Sequence, residues 1–270
     1  MTQTTADTIN TVFKQIRFVM VNPSHPGNVG AAARAIKTMG FKELCLVTPK
    51  LDNIIEHEEA IALASGATDI LSQAHIVPSL EAALAPVSLS FALSARPRHL
   101  GPPPLDIRQS ANLAATHLES PSAKVAVVLG TERTGLSNQH LELCHTVCHI
   151  PANPEYSSLN VAQALQLAAW EMRYALLSRL ECATLPSTNG KVDPGSLAAT
   201  TGTVSEFLTH WEQALIAVDF LDPEHPKKLL VRMRQLFSRS RLSVDEVAML
   251  RGLCTAMIKT AAKAASRTHS

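Results

Sequence analysis

From Ile16 to about residue 180, short apolar runs alternate with longer amphipathic or alanine-rich stretches. The runs Ile16–Val21, Leu44–Val47, Ala74–Val77, Val87–Leu93 and Lys124–Gly130 (KVAVVLG) read as strands. Lys124–Gly130 is continuously apolar, the mark of a strand buried on both faces of a parallel sheet. Between the runs, the spacing predicts helices over Asn28–Met39, stopped by Gly40, and over His57–Ser65, stopped by Gly66. Further helices are predicted over Ser79–Leu84 and over Asp106–Leu118, the latter after a proline-rich connector at Gly101–Pro104. Asn28 is the natural N-cap of the first helix. A short helix and another strand follow Gly135, and the last helix of this part runs from Val161 to Leu180. Residues 1–14 read as a disordered tail. Strands alternating with helices predict an α/β fold, a parallel sheet with helices on both faces.

The Val161–Leu180 helix is apolar around much more than one face, which predicts burial on two sides, in a core and in a subunit interface. Composition then shifts. Glu181–Gly202 is rich in Pro, Thr, Ser and Gly without apolar periodicity and reads as a linker. Helical periodicity returns over Thr203–Phe220, Pro226–Ser240 and Val244–Ala265, predicting a small all-helical C-terminal domain. The expected organisation is a main domain over 1–180, a linker over 181–202 and a helical domain over 203–270.

Length adds little to that picture: 270 residues suffice for one sizeable α/β domain plus an appendage. The five Cys, an odd number in a mid-sized chain, point to reduced thiols. The first residues carry no Lys or Arg before Lys14, and no apolar run approaches membrane-spanning length. The expectation is a soluble cytoplasmic protein without a membrane partner. Charge changes the picture more. The net charge of +1 divides into about −2 over residues 1–202 and +3 over 203–270. Lys227–Arg241 concentrates six cations, Lys227, Lys228, Arg232, Arg234, Arg239 and Arg241, without an acidic residue. Such a basic amphipathic helix is either a solvated face or a surface for an anionic partner, with RNA favoured over membrane because its apolar residues are needed for packing.

Candidate chemistry gathers where strands end. Thr131–Gly135 puts a carboxylate, Glu132, and a guanidinium, Arg133, directly after a buried strand, at the sheet edge where open α/β folds bind ligands. The polar loop Pro151–Asn160 follows the next strand. Two readings stand for Glu132: a carboxylate that satisfies its own turn, or one that orients Arg34 or a substrate. Arg34 lies in a helix of small residues and needs an anion, either a structural carboxylate or a bound phosphate. The cluster Cys144, His145, Cys148 and His149 lacks a second ligand pair at zinc-like spacing, and no metal is expected. Nucleotide P-loops, hydrolase signatures and H-E-x-x-H are absent from the sequence.

Three segments, Asn22–Arg34 (NPSHPGNVGAAAR), Val127–Leu136 (VVLGTERTGL) and Ile150–Val161 (IPANPEYSSLNV), together resemble the three ordered motifs of the SPOUT methyltransferases. The resemblance covers about residues 16–260. It is nearest to the bacterial tRNA 2′-O-methyltransferases that modify cytidine or uridine at nucleotide 32 of the anticodon loop. It implies a C-terminal trefoil knot in the sheet, an obligatory homodimer and S-adenosylmethionine as methyl donor. Leu93, Ser94, Ala95, Gly130, Ile150, Ser157, Ser158 and Leu159 match the cofactor-binding positions. Arg34, Asn28, Glu132, Ser158 and Asn160 match the catalytic ones. By that similarity Arg34 is often assigned as the base, a role that its persistently protonated guanidinium makes demanding. The expectation is that Arg34 holds a phosphate of the RNA and stabilises the developing alkoxide, with that phosphate assisting proton loss, while Glu132 orients Arg34 from its own or the partner subunit. The basic tail would grip the tRNA body.

Overall fold

The computed structural model describes residues 11–95, 104–182, 197–225 and 228–268, and the chain divides into two compact units, Met1–Gly190 and Lys191–Ser270. Among the described residues the first unit holds seven strands: β1 (Ile16–Val21), β2 (Glu43–Val47), β3 (His75–Val77), β4 (Leu89–Leu93), β5 (Leu105–Asp106), β6 (Val125–Leu129) and β7 (Thr146–His149). They form one sheet in the order β3-β2-β1-β6-β4-β7-β5, and every pairing is parallel. The β1 register is typical: Val19 lies opposite Cys45 on one side and Val128 on the other. β7 lies between β4 and β5, which are consecutive in sequence.

Because side chains alternate along a strand, the sheet separates two cores of different bulk. Ile16, Phe18, Met20, Leu44, Leu46, Leu89 and Phe91 point to one face. Helices α1 (Pro26–Thr38), α2 (Glu58–Ala64), α3 (Thr68–Ser72), α5 (Ile107–His117) and α7 (Val161–Cys182) contribute buried residues to that core. The other face carries the smaller Val19, Val21, Cys45, Val47, Ala92, Ala126 and Val128. It is covered by α4 (Leu80–Leu84) and the segment around α6 (Asn138–Glu142). Gly30 makes the close packing of α1 possible, since any side chain there would collide with the Ala60 carbonyl of α2.

Several expectations are corrected. Thr11–Phe13 is a helical turn rather than part of a disordered tail. Phe13 is buried, stacks on Phe41 with ring centroids 4.7 Å apart, and lies under the Arg173 guanidinium. Burial of such a ring stabilises by about 1.5–3 kcal/mol, more than a frayed end would recover. The N-cap of α1 is His25, not Asn28: Pro26 takes the first helical turn, where its fixed φ and missing N–H cost nothing. Helix α2 stops at Ala64, before Gly66, with Ser65 at a φ of 51°. The short α3 and β5 were not anticipated. The connector at Gly101–Pro104, apart from Pro104, and most of the linker 181–202 lie outside the described residues.

The second unit contains α8 (Thr201–Ala217), α9 (Leu229–Ser240) and α10 (Val244–Thr268). α8 starts two residues before the expected Thr203 because Thr200 caps it, accepting from the Thr203 amide at 3.2 Å. α9 starts at Leu229 rather than Pro226. α10 is opened by a reciprocal cap between Ser243 and Glu246. The core is built on Phe207, Trp211 and Phe237, whose rings meet at 4.9–5.9 Å. No helix among the described residues is long and apolar enough to cross a membrane.

Candidate active site at the carboxyl edge of the sheet

All strands being parallel, the loops after β1, β4, β6 and β7 leave the same edge. The loop after β6 is closed on itself: Thr131 and Gly135 exchange backbone hydrogen bonds at 3.3 and 3.0 Å, and Gly135 takes a φ of 67°. A Cβ on Gly130 would run into the Gly135 carbonyl group and the Leu136 nitrogen. At Gly130 the chain's own loop thus fills the space that a side chain would need. The tight closure presents Glu132 sideways to the β1–α1 loop and leaves Arg133 exposed.

Glu132, with 12% of its side chain exposed, is the centre of the arrangement. It accepts from the Ser24 hydroxyl at 2.8 Å, from the Ser24 and His25 amides at 3.3 and 3.2 Å, and from Asn28 Nδ2 at 3.2 Å. Burial pushes its carboxyl upward, but the hydrogen bonds from its own amide, Ser24, Asn28 and His25 outweigh that and hold it below the usual carboxylate range. The positive end of α1 adds to the preference for an anion here. Asn28 passes the network on, its Oδ1 accepting from Asn160 Nδ2 at 2.9 Å. Asn160 in turn caps α7, its Oδ1 accepting from the Ala162 amide at 2.9 Å and the Gln163 amide at 3.3 Å. One row of polar side chains thus ties the loops after β1, β6 and β7 together.

The ionised carboxylate also fixes a proton. The Ser24 hydroxyl has one hydrogen and donates it to Glu132. Its contact of 2.9 Å with His25 Nδ1 must then be donated by the ring, which places the imidazole proton on Nδ1. Glu132 Oε1, 3.5 Å from Nδ1, favours the same tautomer. The His25 side chain is 64% exposed. Ser24 and His25 were missed at the sequence level. An adjacent hydroxyl and imidazole after a strand was the available signal, but the carboxylate that gives the pair meaning is 108 positions away from Ser24.

Of the expected catalytic residues, Asn28, Glu132 and Asn160 come together, whereas Arg34 and Ser158 are exposed outside this network. Arg34 follows Asn28 by six positions, about 9 Å along α1 and on another face. The expected pairing of Glu132 with Arg34 does not occur within the chain, because Ser24, His25 and Asn28 occupy the carboxylate. Of the expected cofactor positions, Leu93, Ser94, Ile150 and Ser157 are half-buried at the same edge, and Ala95, Ser158 and Leu159 are exposed. The Ser94 amide donates to the Cys148 carbonyl at 2.9 Å, prolonging the β4–β7 pairing into the loop.

Cys144 and Cys148 serve packing: both thiols are buried and pushed up to about 12 by burial, so both are protonated. His145 Nδ1 accepts from the Ser90 amide at 3.1 Å. Among the described residues no group of three or more His, Cys, Asp or Glu is placed to hold a metal ion.

The model of the SpoU rRNA Methylase family matches residues 15–170, and that of the tRNA methyltransferase TrmJ C-terminal domain matches residues 203–267. The tRNA (cytidine/uridine/adenosine-2′-O-)-methyltransferase TrmJ of Pseudomonas aeruginosa is 42% identical over 251 residues, covering 92% of this chain and 95% of that protein. The chain belongs to the TrmJ branch of the SpoU methylase family. Its fold is that of TrmJ from Zymomonas mobilis, with a TM-score of 0.72 and 26% identity over 89% of this chain and 98% of that one. A probable methyltransferase from Bordetella pertussis matches at 63% identity and a TM-score of 0.60, over 62% of this chain and 99% of its own.

In this TrmJ-family chain the basic helix α9 is amphipathic as expected. Lys228, Arg232, Arg239 and Arg241 are exposed and Arg234 is half-buried, while Lys227 lies outside the described residues. Phe237 packs in the helical core, but Val231 and Leu236 remain 39% and 48% exposed. α7 has two apolar sides within the one chain. It is buried on one side through Leu165, Ala169, Met172 and Leu176, while Leu167, Trp170 and Tyr174 stand 41%, 53% and 61% exposed along the other.

Proposed function

We propose that this chain transfers a methyl group from S-adenosylmethionine to the 2′-hydroxyl of cytidine or uridine at nucleotide 32 in the tRNA anticodon loop, acting as a cytoplasmic homodimer. The observation that carries this reading is the polar row Asn160–Asn28–Glu132–Ser24. It joins three separate loops at one sheet edge, in a chain that matches a tRNA 2′-O-methyltransferase over nearly its full length. The position of β7 between β4 and β5 supports a trefoil knot in the sheet.

The residues present fit the methyl donor. Leu159, 37% exposed at the rim, offers an apolar face that a purine would cover, and Leu93 and Ile150 extend it. Ser94, Ser157 and Ser158 would supply polar groups to the donor, and Glu132 is held as a negative charge at the same sheet edge. When bound, the donor supplies an electrophilic methyl on a sulfonium. The chain's own contribution is to hold the ribose in line and to stabilise the oxygen as it loses its proton. Arg34 grips an adjacent phosphate, a task suited to a planar guanidinium that stays charged.

Within one chain Arg34 and the Glu132 network are apart, and the apolar stripe Leu167–Trp170–Tyr174 is uncovered. A second copy packing on α7 accounts for both, covering the stripe and bringing an Arg34 to the site. The exposed cations of α9 bind the tRNA body. The buried free thiols of Cys45, Cys144, Cys148 and Cys254 are in keeping with a reducing compartment.

Incubating the chain with unmodified tRNA and S-adenosylmethionine, then locating the methylated nucleoside by mass spectrometry, tests the activity. The expected product is 2′-O-methylated cytidine or uridine at nucleotide 32; no methylated tRNA nucleoside overturns the reading. Trp170→Glu is expected to convert a dimer to a monomer in sedimentation experiments.

A further inference from the structure

We infer that His25 is the proton acceptor of the reaction, its Nε2 taking the proton of the ribose 2′-hydroxyl while Glu132 and Ser24 set its tautomer. The proposal rests on the methyltransferase reading above and replaces the RNA phosphate as the group assisting proton loss. Three features of the structure carry it. Ser24 donates to Glu132 at 2.8 Å and receives the His25 Nδ1 proton at 2.9 Å, so the lone pair on Nε2 is left over. A neutral imidazole with a bare nitrogen is the side chain suited to accept a proton near neutral pH. His25 is also the residue of this network that combines a basic nitrogen with exposure, 64% of its side chain, whereas Glu132 is 12% exposed and spends its oxygens on donors. Finally, His25 sits at the start of α1, in the loop that the polar row ties to the loops after β6 and β7.

The chemistry balances without another reactant. The 2′-oxygen forms a bond to the donor's methyl carbon as the carbon–sulfur bond breaks with its electron pair going to sulfur, leaving a neutral thioether. The hydroxyl proton passes to Nε2. The positive charge lost from sulfur reappears on the imidazolium, where Glu132, 3.5 Å from Nδ1, stabilises it until solvent removes the proton. Glu132 and Ser24 are positioning residues in this scheme. The carboxylate thus serves the base directly, which explains why it faces Ser24 and His25 and leaves Arg34 to the RNA.

The side chain of His25 makes no capping hydrogen bond, so replacing it leaves the helix start intact. In the full-length chain, His25→Ala is expected to lower kcat roughly 100- to 10,000-fold, with the KM for tRNA unchanged and adenosylhomocysteine binding preserved in calorimetry. Added imidazole is expected to restore turnover in proportion to its free-base concentration. His25→Gln, which can still bond Ser24 but carries no base, should be as slow as His25→Ala. In ¹⁵N-histidine spectra of the protein without substrate, the His25 resonance should report a proton on Nδ1, and Ser24→Ala should release that preference. The proposal is overturned by an active wild type whose His25→Ala variant keeps its turnover, by full activity in His25→Gln, by absence of imidazole rescue, by loss of adenosylhomocysteine binding in His25→Ala, or by an Nε2–H tautomer. A wild type that methylates no tRNA overturns the methyltransferase reading and this proposal together.

Discussion

The two units of the chain place their candidate functional side chains in opposite ways. In the sheet unit the candidate site lies largely in loops. It is held by hydrogen bonds between residues far apart in sequence, so Glu132 has one environment and Asn28 one set of partners. In the helical unit the cations project from α9 into solvent, and what is fixed is the aromatic core behind them, Phe207 against Trp211 and Phe237. A network that shares partners fails as a whole, because removing one member strands the others. A set of exposed charges fails by degrees, each contributing its own share of phosphate neutralisation.

That contrast can be broken by experiment. The largest effect expected is from Phe207→Ala, which removes a fully buried ring and should destabilise the helical unit by about 3–5 kcal/mol. Hydrogen exchange should then show α8–α10 opening while β1, β4 and β6 stay protected, and adenosylhomocysteine binding should persist as tRNA affinity falls. Loss of protection across the sheet would mean that the units are not separate. Gly130→Ala comes next. Its methyl group collides with the Gly135 and Leu136 backbone, an overpacking that should cost about 1–3 kcal/mol in thermal unfolding and abolish methyl transfer.

Acid titration gives a smaller, directional effect. The Glu132 carboxyl is held below its ordinary range in the folded state, so its stabilisation is complete above the unfolded value of about 4.3. It disappears as pH falls through the folded value. The stability difference between wild type and Glu132→Gln should therefore narrow on acidification, and a widening difference would contradict the hydrogen-bond assignment. The smallest effects belong to the tail. Each of Arg232→Ala and Arg239→Ala should reduce the log–log salt dependence of tRNA binding by about 0.7–0.9 while leaving turnover of bound tRNA unchanged. A cooperative collapse of affinity from one of these substitutions would place α9 in the same class as the Glu132 network.

How much of this was legible beforehand follows the same division. Long signals survived: the VAVVL run is β6, and the Val161 helix and the three tail helices are present. Two short elements left no pattern to read, the two residues of β5 and the five of α3. Asn28 looked like a cap because asparagine favours that role, yet Pro26 fixes the helix start two residues earlier and frees the Asn28 amide to bridge Glu132 and Asn160. The motif matches pointed to Asn28, Glu132 and Asn160 but not to Ser24 and His25 beside them. Ser24 and His25 acquire meaning only when the fold brings the β6 loop beside them.

The row of side-chain amides has a polarity. Asn160 spends its oxygen on the α7 amides and its nitrogen on Asn28, which obliges Asn28 to offer its oxygen back and its nitrogen to Glu132. An aspartate at position 160 would keep the helix cap but reverse the demand on its neighbour. Asn28 would turn its nitrogen toward the new acid, and its oxygen would then face the Glu132 carboxylate. Here the exchange of one amide for an acid of the same shape is a change of sign, passed along the row to the group that polarises the histidine.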